Sequence, residues 1–246
     1  MDHELPNVKI LLLQARHPTD QARHGERRSF ALRAGLELDN ITSFDLLSQT
    51  LDLNEVQKYD VLMIGGSGDY YVSKQNLPRF PQIMEVLSEV VSIGHPTFAS
   101  CFGFQLLVHA LGGEVAYKPE FMEVGTYQVR LSEAGMVDEL FASLPLTFAA
   151  QLGHKDRAES LSAKVVNLAL NENSAYQALR IPDKPIWATQ FHPELSKEEN
   201  LERFHIYMRG YADTMSPEEI QDVLGRFDDS PETEKLIPRF LKLVFG

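Results

Sequence analysis

Cysteine is nearly absent from this chain: Cys101 is the only one among 246 residues, so no internal disulfide can form. No Cys/His cluster has metal-ligand spacing, and no metal or cofactor is expected. Internal repeats and low-complexity segments are also missing, and the longest apolar runs fall far short of a membrane span. Cationic side chains are scarce, with 23 Lys and Arg against 35 Asp and Glu and a formal net charge of −12. That balance argues against a nucleic-acid or anionic-membrane surface. Residues 1–6 carry Asp2 and Glu4 where a signal peptide has a basic start and an apolar core, so the expectation is a soluble cytoplasmic protein.

What is present is organised around that one thiol. Pro96-Thr97-Phe98-Ala99 is short, apolar and partly β-branched, as a buried parallel strand is, and residues 104–111 have apolar side chains at helical spacing before the stop Gly112-Gly113. Cys101 falls on the turn between them, with Ala99 two residues before and Gly103 two after, the small neighbours that a nucleophile on a tight strand-to-helix turn requires. A lone cysteine is ordinarily a small core hydrophobe. A second stretch changes the reading: Ile186-Trp187-Ala188-Thr189-Gln190-Phe191 is an apolar strand that delivers His192 and then Glu194 just past its end. A thiol, an imidazole and an orienting carboxylate make the cysteine form of the catalytic triad, whose members need to be close only in space.

The rest of the chain alternates. Residues 8–13 and 60–64 read as buried strands, 40–45 as another, and 82–93 as an amphipathic helix with Ile83, Val86, Leu87 and Val90 on one face. This rhythm predicts a parallel sheet wound on both sides, with its ligand site beyond the carboxyl ends of the strands. Residues 18–28 are charged and without clean period, and read as a loop leading into a helix through Phe30, Leu32 and Leu36. Arg16, His17, Arg23, His24, Arg27 and Arg28 form the one basic patch, either a solvated face or a grip on a substrate carboxylate or an acidic partner. Gly65-Gly66-Ser67-Gly68, straight after a strand, is a candidate anion nest or a plain turn, and it lacks the phosphate-loop pattern. Residues 124–131, 146–150, 164–170 and 175–180 are short strand-like runs, an antiparallel appendage or sheet extension. A closing helix over 198–212 is expected to turn Leu201, Phe204, His205 and Met208 inward, with His205 in a packing or surface role. Ser216-Pro217-Glu218-Glu219 and Ser230-Pro231-Glu232-Thr233 each open a further helix, the second too apolar to be left in water.

Ser100-Cys101-Phe102-Gly103-Phe104-Gln105, His192-Pro193-Glu194 and the glycine loop, in that family order, resemble the class I glutamine amidotransferase domain family, the glutaminase of GMP synthases and the γ-glutamyl peptidases included. Departures are Ala99 in place of a glycine, Phe104 where His or Met is usual, and Gly-Ser where Gly-Pro is common, and they bear on which amide fits. The resemblance implies a flavodoxin-like three-layer sandwich over residues 1–213 and a triad of Cys101, His192 and Glu194; the tail over 214–246 lies outside it and reads, from its two helix starts, as a helical extension packed on the domain or on another subunit. It also implies an oxyanion hole from the Gly66 and Phe102 amides and a substrate pocket touching Gln105, Gly125 and His154. For Gln105 the alternative is a plain polar residue at a helix start. The implied activity is hydrolysis of glutamine to glutamate and ammonia, with a synthetase partner to receive the ammonia; the apolar last helix separately offers a homodimer contact. A stand-alone γ-glutamyl hydrolase and a non-catalytic binding module of the same fold are the alternatives.

Overall fold

The computed structural model describes residues 8–212 and 215–246. Residues 1–6 and the expected boundary between 213 and 214 lie outside or at the edge of that range. In chain order the elements are β1 Ile10–Ala15, α1 Ala22–Ala34, β2 Ile41–Asp45, α2 Leu53–Val56, β3 Val61–Ser67, α3 Phe80–Ile93, β4 Thr97–Ser100 and α4 Phe102–Ala110. There follow β5 Glu114–Tyr117, β6 Glu123–Leu131, β7 Thr147–His154, β8 Asp156–Ser160, β9 Val166–Leu170, β10 Ala178–Arg180 and β11 Ile186–Thr189. The last three helices are α5 Lys197–Ala212, α6 Pro217–Leu224 and α7 Leu236–Phe245.

Strands β2-β1-β3-β4-β11 pair in parallel, and the same sheet continues antiparallel through β10-β9-β6-β7. The parallel half has the flavodoxin-like order, whose strand ends form a crevice where the winding direction reverses. The antiparallel runs are therefore an extension of the main sheet. Alternation along β1 divides the core: Leu11 and Leu13 face the layer of α2, α3 and α4, while Ile10 and Leu12 face the layer of α1 and α7. The near-continuous apolar run of β1 is the mark of a strand covered on both faces.

The extension helix α7 packs into that second layer. Leu236, Ile237, Phe240 and Leu241 are fully buried, and the Phe240 ring lies 5.5 Å from that of Phe98 and 5.9 Å from that of Trp187. Helix α6 opens on a complete capping box between Ser216 and Glu219, and joins Val124 and Phe204 in a smaller cluster through Val223.

Three local expectations fail. Helix α1 starts at Ala22, inside the stretch read as a loop; its inner face there buries the charged Glu26, so the stretch carries no apolar period. Leu32 is left 66% exposed by the same phase. His205 points to solvent while Phe204 takes the buried position. A two-stranded sheet of β5 and β8 was not expected at all.

Candidate active site

The carboxyl ends of β1, β3, β4, β11 and β7 converge on one cavity of about 390 Å³, lined among others by Arg16, Gly66, Cys101, His192 and His154. Cys101 joins β4 to α4 with φ 51° and ψ −102°, a left-handed conformation that costs an L-residue roughly 1–3 kcal/mol and survives only where its surroundings enforce it. The Cys101 N–H donates to the Thr189 carbonyl of β11 at 2.8 Å. Gly103 lets the turn close, since a Cβ there would stand 2.6 Å from the Ile64 carbonyl. The Cys101 Sγ lies 3.9 Å from the Gly153 carbonyl at the end of β7.

His192 follows β11 and is fixed by its own N–H, which donates to the Gln151 carbonyl of β7 at 2.9 Å. Its Nδ1 faces Glu194 Oε1 at 2.6 Å, so Nδ1–H donates to the carboxylate and Nε2 is left for Cys101, which stands beside the ring. Burial opposes a charge on this imidazole, but the Glu194 and Cys101 charges more than offset it and push His192 up from 6.5 to about 9. Burial likewise opposes the Glu194 charge, and His192, with Arg203 behind it, nevertheless holds the carboxyl below its ordinary value.

Gly66 backs onto this pair, with the site of its missing Cβ 3.0 Å from His192 Cε1 and 3.3 Å from Arg16 Nη2. Its N–H, expected to serve an oxyanion, instead donates to Glu26 Oε1 at 3.0 Å. Glu26 in turn accepts from Arg16 Nη2 at 2.8 Å and from Gln14 Nε2 at 2.9 Å. Gly65 is what lets this carboxylate in, because a Cβ there would come within 2.6 Å of it. Phe102 is the first residue of α4, where backbone N–H groups have no acceptor within the helix.

Gln105 lines the cavity and donates through Nε2 to the Asp156 carbonyl at 2.9 Å and to Gln190 Oε1 at 3.1 Å. His154 lines it too, held between the Asp156 carbonyl at 2.8 Å and Glu123 Oε2 at 3.1 Å. Burial works against the Glu123 charge, yet His154, Asn171 and Gln177 around it hold its carboxyl below the usual range. Gly125 is not among the residues lining the cavity. With φ 106° it packs against Arg226, and its neighbour Val124 reaches the cavity in its place.

The basic patch splits. Arg16 is buried, paired with Glu26 and Asp20, and its Nη1 donates to the Tyr207 hydroxyl, whereas His17, His24 and Arg28 are exposed. The Tyr207 hydroxyl donates to Asp20 at 2.6 Å, and its ring lies so close to Gly68 that a Cβ there would collide with it. Sequence reasoning also missed Arg203 of α5, whose Nη1 stands 3.6 Å from Glu194 Oε1 and 3.5 Å from His192 Nδ1. Nothing in the run Lys197-Glu198-Glu199-Asn200-Leu201-Glu202-Arg203 separates it from solvent-facing charges except its place two turns beyond Glu194. Among the described residues no cluster of His, Cys, Asp and Glu could hold a metal ion, and no helix is long and apolar enough to cross a membrane.

Residues 27–206 match the family Glutamine amidotransferase class-I, and the chain belongs to that family. It is 29% identical over 191 residues to the GMP synthase [glutamine-hydrolyzing] of Vibrio cholerae, covering 76% of this chain and 35% of that protein. It is 30% identical over 155 residues to the same enzyme of Thermosipho africanus, covering 62% and 28%. The chain thus spans about a third of the length of these curated relatives. Among solved structures, a glutamine amidotransferase from Thermotoga maritima superposes with TM-score 0.71 at 16% identity, covering 98% of this chain and 99% of that one. A glutamine amido transferase from Methylobacillus flagellatus gives 0.67 at 19%, covering 98% and 96%, and both likenesses concern the fold.

Proposed function

We propose that this domain hydrolyses the side-chain amide of glutamine through a Cys101 thioester, releasing ammonia and glutamate. His192 takes the thiol proton while Glu194 holds its tautomer and favours the imidazolium. The sulfur attacks the amide carbonyl, and the oxyanion that develops is met by the Phe102 N–H and by the Gly66 loop, where it has to compete with Glu26 for the Gly66 N–H. His192 then protonates the leaving nitrogen, the C–N bond breaks, and water activated by the same histidine cleaves the thioester. One observation carries the reading: a sealed His192–Glu194 contact of 2.6 Å stands against a thiol held in a left-handed turn. Gln105 and His154 line the space left for the glutamyl part.

The family and the GMP synthase relatives support a further step, in which ammonia passes to a synthetase partner. The cavity supports a second reading. At about 390 Å³ it lies within the ~300–1,000 Å³ range of small-molecule pockets and has room for γ-glutamyl compounds with a leaving group larger than ammonia.

The test offers purified protein glutamine, glutathione and other γ-glutamyl compounds and follows glutamate release, with Cys101→Ala as control. Turnover of glutamine alone supports the amidotransferase reading, and preference for γ-glutamyl peptides supports the second. Absence of Cys101-dependent turnover on every substrate, with and without a synthetase partner, refutes both and leaves a non-catalytic module.

A further inference from the structure

Helix α5 begins three residues after Glu194 and doubles back over the cavity, to whose wall it contributes Asn200, Arg203, Phe204 and Tyr207. Arg203 is nearly buried, its side chain 11% exposed, and its Nη1 approaches the same Glu194 oxygen that accepts the His192 proton. That oxygen therefore has two cationic neighbours, while the other, Glu194 Oε2, is buried without any hydrogen-bond partner. Since Nδ1–H of His192 already points at Glu194, Arg203 cannot donate to Nδ1. Its 3.5 Å approach to the ring is a contact between like charges whenever the imidazole is protonated.

We propose that Arg203 is a positioning residue for the reaction: by sharing the Glu194 charge and facing His192 directly, it keeps the imidazole able to give up its proton. The proposal rests on His192 acting as the base, as described above. Glu194 without a second cation would bind the imidazolium too firmly. Thiol activation tolerates that, because an imidazolium beside a thiolate is the reactive state. Thioester hydrolysis does not, because a neutral imidazole has to take a proton from water. Arg203 thus favours the second half-reaction at the expense of some stabilisation of the first.

Other groups face the pair from every side. Cys101 comes from the start of α4, Arg16 from the end of β1, Glu26 and Tyr207 behind Arg16 from α1 and α5, and His154, Lys155 and Asp156 line the same cavity from the β7–β8 corner. Arg16 is committed to Glu26 and Asp20, and Lys155 donates to the Gly210 carbonyl. Beside His192 itself, Arg203 is the cation within ion-pair distance of Glu194 among the described residues.

Because Cys101 is the only cysteine, its alkylation by iodoacetamide, followed by intact mass across the pH range, reads the couple without any substrate. The alkaline step of that profile marks loss of the His192 proton. Arg203→Met is expected to move this step up by about one pH unit, and Arg203→Lys, which keeps the charge, to return most of it. In glutamine turnover Arg203→Met is expected to lower kcat several-fold while KM stays close to wild type. Circular dichroism checks folding, and Arg203→Gln replaces the Met variant where that variant fails to fold. An alkaline step unmoved in the uncharged variant, or moved equally in the Lys variant, overturns the proposal and leaves the triad intact. A wild-type profile with no alkaline step at all overturns the triad reading and this proposal with it.

Discussion

Replacing Glu194 by Gln keeps the side chain's size and an oxygen that can accept Nδ1–H, and removes only the charge. The structure gives the size of the effect. His192 is driven from 6.5 to about 9 against the burial that works the other way, a preference for the imidazolium worth roughly 3 kcal/mol at ~1.4 kcal/mol per pH unit. Without the carboxylate, burial and the Arg203 charge 3.5 Å away both push the proton off, and Cys101 alone remains to hold it. The alkaline limb of glutamine hydrolysis is therefore expected to fall from about 9 to the neutral range or below. At neutral pH the rate should drop roughly a hundredfold, the equivalent of that free energy. Glutamate release measured against pH, beside iodoacetamide alkylation of Cys101, gives both numbers. A Gln variant that keeps a limb near 9 and loses less than a few-fold in rate would refute the assignment of Glu194 as the source of the shift.

Stability should follow the same group. His192 is raised above its unfolded value of 6.5, so its contribution is complete below 6.5 and is lost as pH rises through about 9. Urea melts at neutral and alkaline pH should show a fall in wild type that is absent in His192→Gln. Phe240→Ala in α7 opens a hole against Phe98 and Trp187 and is expected to cost ~3–5 kcal/mol in urea unfolding. A cost under about 1 kcal/mol would mean that α7 is not part of the core. Gly103→Ala places a methyl 2.6 Å from the Ile64 carbonyl, so the Cys101 turn has to shift, and alkylation and turnover should fall while far-ultraviolet circular dichroism stays native.

Apolar pattern made the parallel half of the sheet readable. Residues 8–13 and 60–64 are covered on both faces, and burial of that kind leaves its record in the residues themselves. The turn at Cys101 was readable because small residues on both sides of a nucleophile have few other uses. Charged residues that are buried left no such record. Glu26 is sealed by Arg16, Gln14 and the Gly66 N–H, partners from β1 and β3, so its position in α1 looks like a surface position until those strands are in place. That is why α1 was expected to start late and why Arg16 was grouped with the exposed His17 and Arg28. Arg203 was hidden in the same way, since its partners are Glu194 and His192 and its own helix is rich in charge. Gly125 stands apart from the cavity for a different reason: its φ of 106° is a backbone conformation that side chains rarely adopt, and it sits in ordinary contact with Arg226 of the extension, which a local motif does not express.

The antiparallel half of the sheet bears directly on the proposed chemistry. Cys101 is tied to β11 by its N–H on Thr189, His192 is tied to β7 by its N–H on Gln151, and the Gly153 carbonyl of β7 stands against the sulfur. Strand β7 thus touches both Cys101 and His192 although the sheet order separates it from β11 by three strands. That contact requires the sheet to coil so that the end of β7 curls back over the end of β4. The twist common to all sheets supplies the coiling, and Asn200, whose Nδ2 donates to Gln151 Oε1 at 2.9 Å, pins α5 across the gap. The strain in the Cys101 turn is sustained by this closure. A substitution that loosens β7 from α5, such as Asn200→Leu, should relax the thiol and separate it from His192 with the parallel core untouched. Alkylation of Cys101 would then lose its alkaline step while urea unfolding changed little, and a step that survives intact would show that β4 and β11 hold the pair without help from β7.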